Sequence, residues 1–466
     1  MKGAKIVLAV LALILVFSEN IENYPQAALN PDGIPEKMVI PDAASPKSFK
    51  SPYGRVLIRF SKNTPKETRK KFFTLLGAEL MEFDVFGYDI GRWQKSVKKA
   101  MDVKLLYEKF KTANPPSVAE QLIDYELEIP LVAKSKSRKQ SSCGLKNEIK
   151  NVASQRRFIH WFDKLLGITT AHNFLQEKKV PLEPIGIVIV DEAPEFSHPD
   201  IKPVLKYKMR KPIYWISDGR DIKDFYSEHG THVACLAAAH HDGKGIEGIA
   251  APNAYVLPLA VRYKDNNMKF SSDIALGLKY FKELEDRGEI NFRVVNMSFY
   301  IGYDSKIVYA AMESLSDKLF VLAATNTEDD EIVRDIDVEK RYPASWLLFN
   351  KLTVTAINED SLLAPFSNYG MNSVDIAAPG ISVMSCTLKG KYVERQGTSM
   401  SAPLVAGAAA LLFAMEPGLT VSQAISIINF SGVASARLKN KVKGGLFLDI
   451  NSAVKLLYNI KYVFDK

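Results

Sequence analysis

Apolar positions along this chain follow two rhythms, and the change between them falls near residue 157. In the first rhythm, Arg55-Val-Leu-Ile-Arg-Phe60 alternates as a strand does. Thr64-Pro65-Lys66-Glu67 then supplies a helix cap, a proline at the first helical position and a glutamate three residues after the cap. The helix it opens carries Phe72, Phe73, Leu75 and Leu76 and stops at Gly77. Strands around Glu79–Phe83 and Phe86–Arg92, a helix over Val97–Thr112 and a strand over Leu122–Ile129 complete a β-α-β-β-α-β order. That order predicts a small α+β unit of ferredoxin-like type. It holds no cluster of nucleophile and base.

The second rhythm is one of long apolar strands alternating with helices. Ile185-Gly-Ile-Val-Ile-Val190 is apolar on both faces and ends in Asp191, as a central parallel strand does. Further strands are expected at Tyr255–Val261, Arg293–Met297, Leu319–Ala324 and Lys351–Ala356, with helices near Thr231–Ala239, Ser272–Arg287 and Ser305–Ser316. This is the pattern of a doubly wound α/β fold with a mostly parallel sheet, in which sites form at the carboxyl ends of strands. Asp191, Asn296, Ser298 and Asn326 stand at such ends. A last helix, apolar all round, is expected from Thr398 to Met415, stopped by Pro417 and Gly418.

Composition adds location more than class. The net charge of +8 is concentrated between Lys134 and Arg157, where eight Lys and Arg residues meet only Glu148. No aromatic-interleaved basic face accompanies the tract, so it reads as a cleavable linker and nucleic acid is set aside. Residues 1–18 start with Lys2 and Lys5 and continue into an apolar run shorter than a membrane span, which reads as a secretory signal peptide. No other apolar run reaches spanning length, so an exported protein with no stable membrane insertion is expected. Cys143, Cys235 and Cys386 are too few for a disulfide framework; one bridge, Cys235 with Cys386 among the pairings, stays open.

The candidate chemistry lies in Gly397-Thr-Ser-Met-Ser-Ala-Pro403. A serine in the first turn of a buried helix can turn its hydroxyl to solvent, beside backbone N–H groups that lack intrahelical partners. Hydrolysis through such a serine needs a base and an acid that orients it. Asp191, His229 and Ser399 occur in one of the known chain orders of that triad. His229 lies in His-Gly-Thr-His-Val-Ala, just ahead of an apolar helix.

With these motifs the chain resembles the subtilisin family of serine proteases (subtilases) from residue 54 to about 455. Val190-Asp191 with His198-Pro199-Asp200, His229 to Ala234, and Gly397 to Pro403 match the family's three motifs. Ala323-Ala324-Thr325-Asn326 falls where the family has its oxyanion asparagine; Tyr342-Pro343-Ala344, Phe366-Ser367 and Ala378-Pro379-Gly380 are further matches. The resemblance implies Ser399 as nucleophile, His229 as base and then acid, Asp191 as its orienter and Asn326 as oxyanion donor. Ser298, Phe299, Tyr300, Ala324 and Thr325 would line the pocket for the substrate residue before the cut. No cofactor is implied for the chemistry. Asp200 and Asp242 resemble positions of a structural calcium site.

Polypeptide substrates and a monomer are expected. The implied organisation is signal peptide 1–18, propeptide 53–133 acting as intramolecular inhibitor and folding aid, basic linker 134–156 with the processing site, and peptidase domain 157–466. Several positions depart from the family. Glu192 and Ala193 replace Thr or Ser and then Gly, and an extra carboxylate there favours a raised histidine pKa or a shifted loop. Cys235 replaces Gly, Leu404 replaces a common His, and Thr325 replaces Gly. The rival reading is a catalytically impaired binding or regulatory homologue. A metal-dependent hydrolase using His229 and His232 is the weaker rival, since His232 reads as a packing histidine. The acidic run Glu328–Glu331 reads as a solvated loop or as a preference for basic substrate residues.

Overall fold

Why the two rhythms separate is plain from what their apolar faces cover. In a computed structural model of the chain, the described residues are 55–60, 64–75, 78–93, 122–128, 157–205, 215–216, 223, 226–261, 271–327 and 333–464. The stretch 1–18, the helix expected over Val97–Thr112, the basic linker and the run Glu328–Glu331 lie outside them.

The first rhythm gives β1 (Arg55–Phe60), α1 (Lys66–Leu75), β2 (Ala78–Val85), β3 (Tyr88–Trp93) and β4 (Leu122–Glu128). The strands form an antiparallel sheet in the order β2-β3-β1-β4. Phe86 was expected to start β3 but sits in the turn before it. Phe86 and Gly87 have φ of 48° and 85°, the pair of positive values that a two-residue turn between twisted strands needs. Alternation along β1 sorts its faces. Phe60 meets Phe73 of α1 edge to face at 6.4 Å, whereas Leu57 joins Val85, Tyr88 and Ile90 in an apolar cluster shared with Leu278 and Phe281. Beside that cluster Arg55 Nη1 donates to Ser272 Oγ (2.8 Å) and Asp273 Oδ1 (2.7 Å), both partners being almost wholly buried.

The second rhythm gives β5 (Gly186–Asp191), β6 (Trp215–Ile216), β7 (Tyr255–Ala260), β8 (Phe292–Met297), β9 (Leu319–Ala323), β10 (Lys351–Ile357) and β11 (Ile376–Pro379). The hairpin β12 (Val383–Thr387) and β13 (Lys391–Arg395) follows, then the two-residue β14 (Val433–Ala434) and β15 (Leu446–Phe447). A nine-stranded sheet runs β14-β15-β11-β10-β9-β8-β5-β7-β6. All its pairs are parallel except β14 with β15. The protein is therefore a doubly wound α/β fold. Strand order reverses at β5, which has β7 on one side and β8 on the other, so the crevice at their carboxyl ends is where such a sheet holds a ligand.

Helices α2 (Ile168–Glu177), α3 (Glu228–Ala238), α4 (Ser272–Asp286), α5 (Lys306–Ser314), α6 (Thr398–Met415), α7 (Val421–Ser431) and α8 (Ile450–Asn459) cover both faces. Ile187, Ile189 and Val294 point to the layer of α2, α3, α6, α7 and α8. Val188, Val190 and Val295 point to α4 and α5. Alternate residues of a strand thus serve different layers. Helix α6 lies inside the first layer with every residue but Ser399 buried. It is long and apolar enough to cross a membrane, against the expectation that no apolar run beyond the N-terminal one reaches spanning length, yet 94% of it is buried in the protein. Cys235 of α3 and Cys386 of β12 form a disulfide, which closes the pairing left open above.

Candidate active site

Asp191 is the last residue of β5 and is fully buried. A carboxylate there needs donors. Its Oδ1 accepts from Glu192 N (2.7 Å) and faces His229 Nδ1 at 2.9 Å. His229 does not precede its helix, as expected, but lies in the first turn of α3. The helix starts early because Ser227 caps it, with Oγ accepting from Gly230 N at 3.0 Å. The next residue has to be glycine. A Cβ on Gly230 would stand 1.9 Å from the carbonyl oxygen of Glu192, so the loop after Asp191 and the helix carrying His229 meet backbone to backbone.

Ser399 sits in the first turn of α6. Gly397 caps it with φ 144°, and a Cβ there would meet Asn326 Nδ2 at 3.2 Å. The proline of the motif also has a local role. Pro403 lacks the N–H that would bond Ser399 O four residues back. Ser298 Oγ donates to that carbonyl instead (3.0 Å), and Ser399 Oγ donates to Ser298 O (3.0 Å). Asn296 Nδ2 donates to Ser298 Oγ at 3.0 Å, so residues following β8 are laced to the start of α6. Among the described residues, the Ser399 hydroxyl thus has Ser298 O rather than His229 as its partner.

Asn326 follows β9, and its Oδ1 accepts from Thr398 N and Thr398 Oγ1, each at 2.9 Å. Both donors act on the oxygen and not on Nδ2; a Cβ on Gly397 would lie 3.2 Å from Nδ2 and 3.7 Å from Ser399 N, so both nitrogens border the same glycine. Ala378-Pro379-Gly380 supports the turn from below: Gly397 N donates to Gly380 O (2.8 Å) and Ser401 Oγ to Pro379 O (3.0 Å). The structure therefore gathers an acid–imidazole pair, a helix-terminal hydroxyl and an oriented amide around the carboxyl ends of β5, β8 and β9.

The pocket candidates separate. Ala324 and Phe299 are buried, Phe299 within the apolar cluster behind β8. Tyr300 is 42% exposed, and the Arg341 guanidinium lies 5.3 Å from its ring centroid. Thr325 has φ 72°, outside the comfortable range of a β-branched residue. Asn368 holds it: its backbone N donates to Thr325 O (3.1 Å) and its Nδ2 to Thr325 Oγ1 (2.7 Å). Arg341 and Asn368 were not singled out from the sequence. Asn368 follows Phe366-Ser367, and that adjacency was the signal available.

His232 is fully buried, with Nε2 between Val383 O (3.1 Å) and Val393 O (3.2 Å). Burial pushes its pKa well below the usual value, so it is a neutral tie to the β12–β13 hairpin. That nitrogen is committed to carbonyl oxygens and not offered to a metal ion.

The calcium expectation at Asp200 and Asp242 does not fit the residues present. Asp200 Oδ2 accepts from Ile246 N (2.9 Å) and from the Tyr392 hydroxyl (3.0 Å), and the Cys386 sulfur lies 3.7 Å away. A calcium cage offers oxygen lone pairs, whereas Ile246 N and the Tyr392 hydroxyl offer hydrogens and the Cys386 sulfur, held in the disulfide, offers no oxygen. Burial raises the Asp200 pKa and pushes the Tyr392 hydroxyl up. Asp242 is exposed, its Oδ1 accepting from Lys244 N at 3.0 Å.

A family model described as the subtilase family matches residues 185–445. The chain is 30% identical over 243 residues to a protein named subtilisin-like protease 3 of Plasmodium falciparum, a match covering 49% of this chain and 31% of that one. It is 34% identical over 230 residues to a thermophilic serine proteinase of a Bacillus strain, covering 48% and 51%. With the cell wall-associated protease of Bacillus subtilis it shares 33% identity over 251 residues, covering 53% and 25%. The chain spans from about a quarter to about half the length of these relatives.

Proposed function

The chain belongs to the subtilase family, whose pattern occupies more than half of it, and from that premise we propose that it is a serine endopeptidase made as a self-processing proprotein. The observation that carries this reading is the 2.9 Å contact of Asp191 Oδ1 with His229 Nδ1 beside a helix-terminal Ser399 and an amide pinned by Thr398. Asp191 holds His229 by Nδ1–H, which leaves Nε2 as the base. The Ser399 hydroxyl turns about its one side-chain torsion from Ser298 O to Nε2. Its oxygen then bonds to the substrate carbonyl carbon while the proton passes to His229. Asn326 Nδ2 and Ser399 N donate to the oxyanion. The tetrahedral adduct expels the amine, protonated by His229, and leaves an acyl-enzyme. A water deprotonated by His229 releases the acid.

No cofactor enters these steps. Substrates are polypeptides. Residues 53–133, whose β1 and β2 reach α4 through Arg55–Asp273 and Glu82–Lys279, are the propeptide and inhibit the enzyme in cis. Cleavage falls between Val132 and Asn151. Residues 1–18 direct export, consistent with a relative named for the cell wall, and the mature enzyme is a monomer.

The test compares full-length protein with Ser399→Ala by intact mass and N-terminal sequencing. The wild type should trim itself to a form beginning in the linker while the variant stays whole. If both stay whole and neither takes a fluorophosphonate, the protein is not a peptidase.

A further inference from the structure

We propose that Asn368 is a positioning residue for the oxyanion-stabilising amide, acting through the backbone of Thr325. The inference rests on the reading of Asn326 as an oxyanion donor and adds the element that sets where that side chain begins. Thr325 precedes Asn326 and has φ 72°, a left-handed conformation that is strained for a β-branched residue. Left to itself it would relax to negative φ. The peptide plane leading into Asn326 would then swing, and Asn326 Oδ1 would leave the two donors of Thr398.

Two bonds from one residue oppose that relaxation. Asn368 N donates to Thr325 O at 3.1 Å, and Asn368 Nδ2 donates to Thr325 Oγ1 at 2.7 Å. Asn368 is itself immobilised. It is fully buried, its Oδ1 accepts from Arg334 N (2.9 Å), and its carbonyl accepts from Thr355 Oγ1 of β10 (2.7 Å). The preceding residue, Ser367, bridges Asn326 in antiparallel fashion, and Thr327 N donates to Phe366 O at 2.9 Å. The segment 366–368 therefore grips both sides of Asn326 while Thr398 grips its tip. A glycine at 325 would adopt positive φ unaided. With threonine there, the conformation depends on the side chain of Asn368.

The experiment measures kcat and KM on a peptide substrate for full-length, self-processed protein, with active sites counted by a fluorophosphonate so that misfolded molecules drop out. Asn368→Ala should keep KM within about twofold and lower kcat by about 10- to 100-fold, somewhat less than removal of an oxyanion donor itself. Thr325→Gly in the same chain should recover most of that loss. Thr325→Val, which removes only the Oγ1 acceptor, should lower kcat in the same sense, and it decides the matter if Asn368→Ala fails to fold. Unchanged kcat per active site in Asn368→Ala or, failing that, in Thr325→Val overturns the inference, as does a loss that Thr325→Gly leaves in place. Asn326→Ala is the control. If it keeps full kcat, the oxyanion reading of Asn326 has failed, a result distinct from failure of the clamp.

Discussion

Removing the bridge between α3 and β12 puts a number on how far the fold depends on one covalent tie. Cys235 and Cys386 are 151 residues apart, and both sulfurs are buried in the main core. In the chain-entropy account, opening a loop of that length restores to the unfolded chain about 5 kcal/mol of conformational freedom. Replacing both with alanine should lower stability by several kcal/mol, a large share of the roughly 5–15 kcal/mol that a domain has in total. The place of the bridge sharpens the expectation. It joins the helix carrying His229 to a hairpin that also receives the His232 ring, so unlinking also loosens the mounting of the His229 imidazole.

The measurement is equilibrium denaturant unfolding in a Ser399→Ala background, so that the proposed self-cleavage does not interfere. The denaturant dependence should steepen slightly, because an unlinked unfolded chain exposes more surface. Thiol titration of the unfolded, unreduced parent should find one free group, Cys143, of the three cysteines. A double variant within about 1 kcal/mol of the parent, the size of an ordinary point mutation, would refute the reasoning. So would three titrating thiols.

Three further expectations follow from the geometry. Asn326→Ala should lower kcat by about 10²–10³ with little change in KM, equivalent to about 2.7–4 kcal/mol of lost oxyanion stabilisation; a KM effect alone would assign it to substrate binding. Burial holds the His160 pKa down at about 3 and those of His172 and His241 at about 4, against 6.5 for an unhindered imidazole. Folded-state values below the unfolded one mean that stability is whole above pH 6.5 and is lost as pH falls towards 4, by up to about 1.4 kcal/mol per pH unit for each histidine. A melting temperature that stays flat across that window would contradict this. Tyr392→Phe should cost about 1–3 kcal/mol by leaving buried Asp200 short of a donor, while a chelator leaves the parent's melting temperature unchanged. A fall on chelation would bring the cation back.

How legible all this was in the sequence depended on whether a signal was local. Strands β5, β7 and β9 showed because both faces are buried and their runs are almost wholly apolar, while β10 alternates Leu352, Val354 and Ala356 with Lys351, Thr353 and Thr355. The start of α3 was placed three residues late because Glu228 and His229 carry no apolar period, although Ser227 was there to cap it. Two-residue strands such as β14 have no period to read. Asp191, His229, Ser399 and Asn326 stood out since each adjoins the end of a strong element. What surrounds Asp200 did not, because its partner Tyr392 lies 192 positions away. Nor could the sequence tell that Thr325 is held at positive φ, or that Ser298 takes the carbonyl vacated by Pro403.

The burial of α6 has a last consequence. Exchange of its amide hydrogens requires the interior of the domain to open, so Ser399 rides on a helix that opens only with the core. Fraying of edge strands or of the outer helices leaves the position of Ser399 untouched. The position of Ser399 is kept by the same cooperative event that keeps the chain folded. On heating, activity and core should vanish together, in one step rather than by gradual wear.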